Sequence, residues 1–156
     1  MNHHIFMQLA IEKALEGIKK GQTPFGTCIV KEGKPISIAH NHVWAHTDIT
    51  AHAEIEALRL ACQNLKTIDL TGCSLYSTCE PCPMCFCAIH WANIKEIYFG
   101  AKLEKAKEVG FHELPISNAE MKRQGKSSMN ITGNVMTEAC NQLFETWLQR
   151  PDKKIY

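Results

Sequence analysis

His52-Ala53-Glu54 and, further along, Pro81-Cys82-Pro83-Met84-Cys85 decide how this chain is read. Together they offer one imidazole, two thiols and a carboxylate that a metal ion does not need. Three protein ligands leave a fourth tetrahedral position for water, which is what separates a catalytic zinc site from a closed structural one. His52 and Glu54, two residues apart at the first turn of a helix, can both reach one centre. The apolar spacing of Ile55, Leu58, Ala61 and Cys62 predicts that helix over Ala51–Leu65. Cys82 and Cys85 stand at i and i+3 and share a helix face. A second helix opening there and running on over Met84–Ala92 turns its positive end toward the sulfurs and favours thiolate over thiol. Pro81 and Pro83 suit its entry, because the first turn has no internal partner for a backbone N–H.

Other readings of the cysteines stand beside this one. A lone Cys-x-x-Cys is also a redox pair or half of a structural zinc knuckle. Cys79, Cys82, Cys85 and Cys87 together make a four-thiolate set. The upstream His-Ala-Glu and the interposed Glu80-Pro81 favour zinc on His52, Cys82 and Cys85, with Glu54 free to move protons.

Around these motifs, helical and extended patterns alternate. Ile5 to about Lys20 is an amphipathic helix with Ile5, Phe6, Leu9, Ala10, Ala14 and Ile18 on one face, stopped by Gly21. Gly26–Val30 and Pro35–Ala39 read as strands around the turn Lys31-Glu32-Gly33-Lys34. Asn41 to Thr50 reads as a loop. Ser74–Thr78 and Glu96–Ala101 are further strands, Met129–Val135 holds a short one, and Thr137–Gln149 is a terminal helix ended by Pro151. Lys102–Glu108 mixes charges as a solvated helix face does. The alternation predicts an α/β fold in three layers, helices covering both faces of a mixed sheet of about five strands.

At 156 residues, 45% apolar and 21% charged, the chain is expected to form one globular domain over 1–156. No apolar run is long enough for a bilayer, and no signal peptide opens the sequence, so a cytoplasmic protein without a membrane partner is expected. The eight cysteines are then read as thiols. Cys28, Cys62, Cys73 and Cys140 fall in strand-like or helical runs as small hydrophobes, while Cys79 and Cys87 stand near the metal motif. A net charge of +1 with no long basic run argues against a nucleic-acid partner.

The H-x-E and P-C-x-x-C pair is the signature of zinc-dependent nucleobase deaminases. With Pro24-Phe25-Gly26, Thr78-Cys79-Glu80-Pro81-Cys82-Pro83-Met84-Cys85 and Ala88-Ile89-His90-Trp91-Ala92, the whole chain resembles the purine-deaminating branch of the cytidine deaminase superfamily. Several flanks resemble its bacterial guanine deaminases: Met1-Asn2-His3 at the start, Gly110-Phe111-His112-Glu113, and Lys153-Lys154-Ile155-Tyr156 at the end. That resemblance implies zinc as cofactor and hydrolysis of guanine to xanthine and ammonia. It assigns catalytic roles to Glu54 and to Glu113, the second acidic residue over the base. It places Asn41, Phe25, Trp91 and Tyr156 on a small purine substrate. It also implies that the terminal helix and tail, about 137–156, close a site, commonly through a swapped homodimer.

Within the branch, a tRNA adenosine deaminase and a guanosine or other amino-purine deaminase remain alternatives, as does a metal-containing module without activity. His90 and His112 are placed near the pocket without a role. Phe86-Cys87 stands where relatives often carry a smaller residue, and His112 where some guanine deaminases carry an acid.

Overall fold

The computed structural model describes residues 2–156. Its first unit is a hairpin of β1 (Gly26–Lys31) and β2 (Lys34–His40). Glu32 (φ 51°) and Gly33 (φ 74°) both take the left-handed conformation that a two-residue hairpin of type I′ requires. β3 (Cys73–Cys79) pairs antiparallel with β1, β4 (Glu96–Ala101) lies parallel to β3, and β5 (Asn130–Thr132) lies parallel to β4. The result is a five-stranded mixed sheet in the order β2-β1-β3-β4-β5. β1 and β3 are interior strands and almost wholly buried, which is why each reads as an unbroken small or apolar run.

Helices cover both faces. α1 (His3–Lys19) and α7 (Thr137–Leu148) pack on one. Their apolar stripes meet Cys28, Val30 and Tyr76 of the sheet, with Phe144 and Trp147 at the centre of that layer. Contact there is close enough to demand glycine: a Cβ on Gly26 would collide with the carbonyl of Ala10, and one on Gly100 with the sulfur of Cys140. α3 (Ala53–Leu65) and α4 (Pro83–Trp91) lie on the other face over Ile29, Leu75 and Ile97. This is the three-layer α/β arrangement expected from the alternating pattern. Boundaries shift by a residue or two at most elements, and Glu96–Ala101 is unchanged.

Three short helices complete the chain: α2 (Val43–His46), α5 (Leu103–Glu108) and α6 (Asn118–Gly125). α2 and α6 fall where the sequence reads as loop or patternless. α2 is a single turn, and α6 buries only Asn118, so neither carries apolar periodicity. α6 is instead started by its cap, the Ser117 hydroxyl accepting from the Glu120 N–H at 3.2 Å. Among the described residues no helix is long and apolar enough to cross a membrane.

Candidate active site

Two helix starts and one strand end build the site. His52 is the N-cap of α3 and Cys82 the N-cap of α4, with Pro83 at its first position. Both helices therefore direct their positive ends at one point. α3 begins at Ala53 rather than Ala51 and α4 at Pro83 rather than Met84, so His52 and Cys82 sit at the caps, and Glu54 and Cys85 lie in the first turns. The Cys82 and Cys85 sulfurs each lie 3.6 Å from His52 Nδ1. Their three donor atoms fall within 4.8 Å of one another, the only such metal-ligand group among the described residues. One nitrogen and two sulfurs, half-buried to buried at paired helix N-termini, fit zinc, which is borderline-soft and takes both donor types.

The protonation pattern agrees. The thiol of Cys85 hydrogen-bonds to Cys82, and this, helped by His52 against the cost of burial, holds Cys82 at about 4. Cys85, whose proton that bond uses, is pushed well above the usual thiol range. Cys82 is thus a thiolate at neutral pH. Cys79 is different. Burial pushes it well up, and its sulfur donates to the Lys102 carbonyl at 3.7 Å, so it is a neutral thiol beside the centre. Among the described residues the donor group gathers only His52, Cys82 and Cys85, and Cys87 is exposed, so the four-thiolate set does not assemble.

Glu54 is 6% exposed, and burial raises its pKa, with the Cys82 charge adding to the effect. One oxygen accepts from the Ser77 hydroxyl at 3.0 Å; the other lies 3.5 Å from Cys85 Sγ, facing the metal donors. Around Glu54 lies an inner space of about 10 Å³, bordered by Phe25, His52, Cys79, Glu80, Glu113 and Tyr156. That is room for roughly one water. It adjoins an outer cavity of about 290 Å³, with His52, Cys82, Glu113 and Tyr156 inside and Ile49, Pro83, Met84, His112 and Leu114 toward the mouth. Among the described residues, no lysine or arginine lines either space.

Glu113 borders both spaces and is pushed to about 7, first by burial and then by the negative charge of Cys82. Phe25 borders the inner space and also packs edge-on against Phe111 and Phe144, at 5.0 and 5.7 Å between centroids. It serves core and site together. Tyr156 comes from the chain's own tail. Its ring lies 5.5 Å from that of His52, and its hydroxyl accepts from Asn41 Nδ2 at 2.6 Å. Asn41 stands one layer back: its Oδ1 is taken by the Val43 N–H at 3.0 Å, so both ends of its amide are engaged.

The structure corrects two expectations about α4. Trp91 is 82% exposed and stands over an outer groove with Ile55, Leu58 and Ile68, away from the metal donors. Six residues on a helix turn the side chain through about 600°, so Trp91 cannot share the face of Cys85. Cys87 and His90 are exposed on the same outer side and line neither space. His112 does reach the mouth, and its backbone N–H donates to the main-chain oxygen of Tyr156 at 3.3 Å. Two residues with no motif to announce them complete the surroundings. Ser77 holds Glu54, and Trp44 donates its indole N–H to the Lys154 carbonyl at 3.1 Å with the Lys154 ammonium 5.4 Å from its ring. A polar residue within the run that reads as a central strand is the one available signal for Ser77.

The model of the cytidine and deoxycytidylate deaminase zinc-binding region matches residues 1–101. The chain belongs to this family. It is 38% identical to the guanine deaminase of Bacillus subtilis over 157 residues, covering 100% of both chains. It is 45% identical to the tRNA-specific adenosine deaminase of Aquifex aeolicus over 101 residues, 65% of this chain and 67% of that one. A structure of guanine deaminase from Nitrosomonas europaea superposes with a TM-score of 0.83 at 27% identity, covering 92% of this chain and 83% of the other. The family is one of zinc-binding hydrolytic deaminases, so the metal donors and Glu54 stand in a context of known chemistry.

Proposed function

We propose that this protein is a zinc-dependent guanine deaminase that converts guanine and water to xanthine and ammonia. The observation that carries the reading is the closure of the metal-side cavity by Tyr156 and Glu113. Over the full length of the chain the identity to the Bacillus subtilis guanine deaminase is 38%, against 30–34% to tRNA-specific adenosine deaminases that align over 92–96% of it. A mouth of Ile49, Met84 and Leu114 without lysine or arginine favours a small neutral heterocycle over a polyanion.

Zinc held by His52, Cys82 and Cys85 would supply the Lewis acidity that makes water nucleophilic near neutral pH. Glu54 takes one proton of the attacking water and passes it to ring N3 as C2 becomes tetrahedral, then collects the proton of the new C2 hydroxyl and gives it to the amine as C2=O forms and the C–N bond breaks. One carboxylate serves both ways because acid and base roles exchange between the two halves of the reaction. Phe25 offers an aromatic edge to a flat base. Glu113, at about 7, can accept from the base's N–H groups or hold a proton beside them. The Tyr156 phenol, pushed up by burial, stays neutral and keeps the tail over the base. The tail lies over the site of the same chain, and in a swapped homodimer the same tail contacts would form between subunits. A homodimer remains our expectation, and the exposed Trp91 and Ile68 are apolar surface that it would cover.

The test is an ammonia-release screen of guanine, guanosine, adenine, cytosine, cytidine and a tRNA anticodon stem-loop. Guanine should be turned over best. Preference for the stem-loop would overturn the substrate assignment and leave the deaminase chemistry standing.

A further inference from the structure

We propose that Ser77 is a positioning residue for Glu54, fixing which carboxylate oxygen faces the metal donors. This rests on the deaminase reading above and goes one layer deeper. Ser77 is 1% exposed on β3, an interior strand paired on both sides, so its backbone has little freedom. Its hydroxyl donates to Glu54 Oε1 at 3.0 Å, while Glu54 Oε2 lies 3.5 Å from Cys85 Sγ. The terminal torsion of a glutamate is broad and roughly two-fold, so rotamer preference alone does not hold the carboxylate plane. With one oxygen anchored, the other is left aimed at the metal side, where a proton must be collected and delivered within a small tolerance.

The sheet supplies its own control. Thr27 is the cross-strand partner of Ser77 and projects from the same face. Its hydroxyl is equally buried and has no hydrogen-bond partner among the described residues. Next along β3, the Thr78 hydroxyl accepts from the Gly26 N–H at 3.1 Å and so belongs to the scaffold. Of three neighbouring buried hydroxyls, that of Ser77 is the one hydrogen-bonded to Glu54.

The experiment compares Ser77→Thr with Ser77→Val, a pair of equal shape differing in the hydroxyl, alongside Ser77→Ala and Thr27→Val. Guanine turnover, zinc content and melting temperature are measured for each. Ser77→Val and Ser77→Ala should lower kcat about tenfold to a hundredfold, the range for losing a buried bond to a charged acceptor, with KM and zinc content little changed. Ser77→Thr should recover most of the turnover that Ser77→Val lacks. Thr27→Val should leave kcat unaltered. Ser77→Ala only removes an atom, so it keeps the test alive if the added methyl of the other pair disturbs folding. Equal kcat for Ser77→Thr and Ser77→Val, or full kcat in Ser77→Ala while Glu54→Gln is inactive, overturns the proposal and leaves the deaminase reading intact. A wild-type protein that releases ammonia from none of the screened substrates overturns both.

Discussion

The two halves of the candidate site are built in opposite ways. The metal half consists of His52, Glu54, Cys82 and Cys85, set at the starts of two helices packed on the sheet. The tail half is Tyr156 at the end of a run whose residues 151–155 are all exposed. Tyr156 is held there by Asn41 at 2.6 Å and His112 at 3.3 Å, and the preceding Lys154 by Trp44 at 3.1 Å. Chemistry needs fixed donors, and helix caps over a sheet supply them. Admission of a substrate needs an element that can open, and a short tail tied by a few hydrogen bonds can do so without disturbing the core.

Changes to the metal half should therefore have the largest effects. We expect one zinc per chain. Chelation should abolish turnover and lower the melting temperature, because an ion bound only by the folded state adds to its stability. Metal analysis, and spectroscopy of a cobalt-substituted form, would report the donors; four sulfur ligands would contradict the site. Glu54→Gln divides this half further. Zinc and fold should remain while turnover falls by about 10²–10⁴-fold or more, since the amide cannot carry the proton. Near wild-type turnover in this variant would remove Glu54 from the mechanism.

The tail half should respond less, and in a different quantity. Deleting Asp152–Tyr156 removes no metal donor. Turnover of guanine should drop by about tenfold to a hundredfold through loss of water exclusion and substrate positioning. Zinc content should be unchanged and the melting temperature within a few degrees of wild type. If the truncated protein deaminates guanine normally, the tail is not part of the site.

The same division explains what is legible in the amino-acid sequence. Metal donors are legible because coordination fixes residue type and spacing, and the caps of α3 and α4 lie where His52 and Cys82 stand. The three layers are legible because α1, α3 and α7 carry apolar stripes and β1 and β3 are buried runs. None of the eight cysteines is in a disulfide. What escapes the sequence is contact between remote positions. Nothing local at Trp44 indicates Lys154, and nothing at Ser77 indicates Glu54. Trp91 misleads for the reverse reason: closeness to Cys85 along the chain suggests closeness in space, although helix rotation carries it to the outer face. α6 is invisible because a polar helix with one buried residue has no periodic signal.

Trp44 offers a finer probe of the tail than deletion does. Its indole N–H holds the Lys154 carbonyl and its ring faces the Lys154 ammonium. Trp44→Phe keeps the aromatic face and removes the hydrogen bond. We expect KM for guanine to rise about threefold to tenfold, in line with the loss of one partly exposed bond of roughly 1 kcal/mol. kcat and zinc content should change little. A variant with unaltered KM would show that Asn41 and His112 hold Tyr156 in place without help from Trp44.

The smallest effect joins the two halves at Glu113, which borders the metal-side space and the mouth alike. Burial, with the Cys82 charge behind it, pushes this carboxyl to about 7 from an ordinary 4.5. Between those values the folded chain binds a proton that the unfolded chain has already lost. The group's contribution to stability therefore falls as pH rises from about 4.5 to about 7 and is constant above. Glu113→Gln has no proton to lose. In the metal-free protein, where Cys82 carries its charge, the melting temperature of Glu113→Gln relative to wild type should climb between pH 5 and pH 8. Because Glu113 is only half-buried, solvent screening limits the rise to roughly 2–4 °C for a chain of this size. A difference that stays flat with pH would mean that Glu113 is solvated and ionised throughout, and that its place over the base does not depend on a desolvated carboxyl.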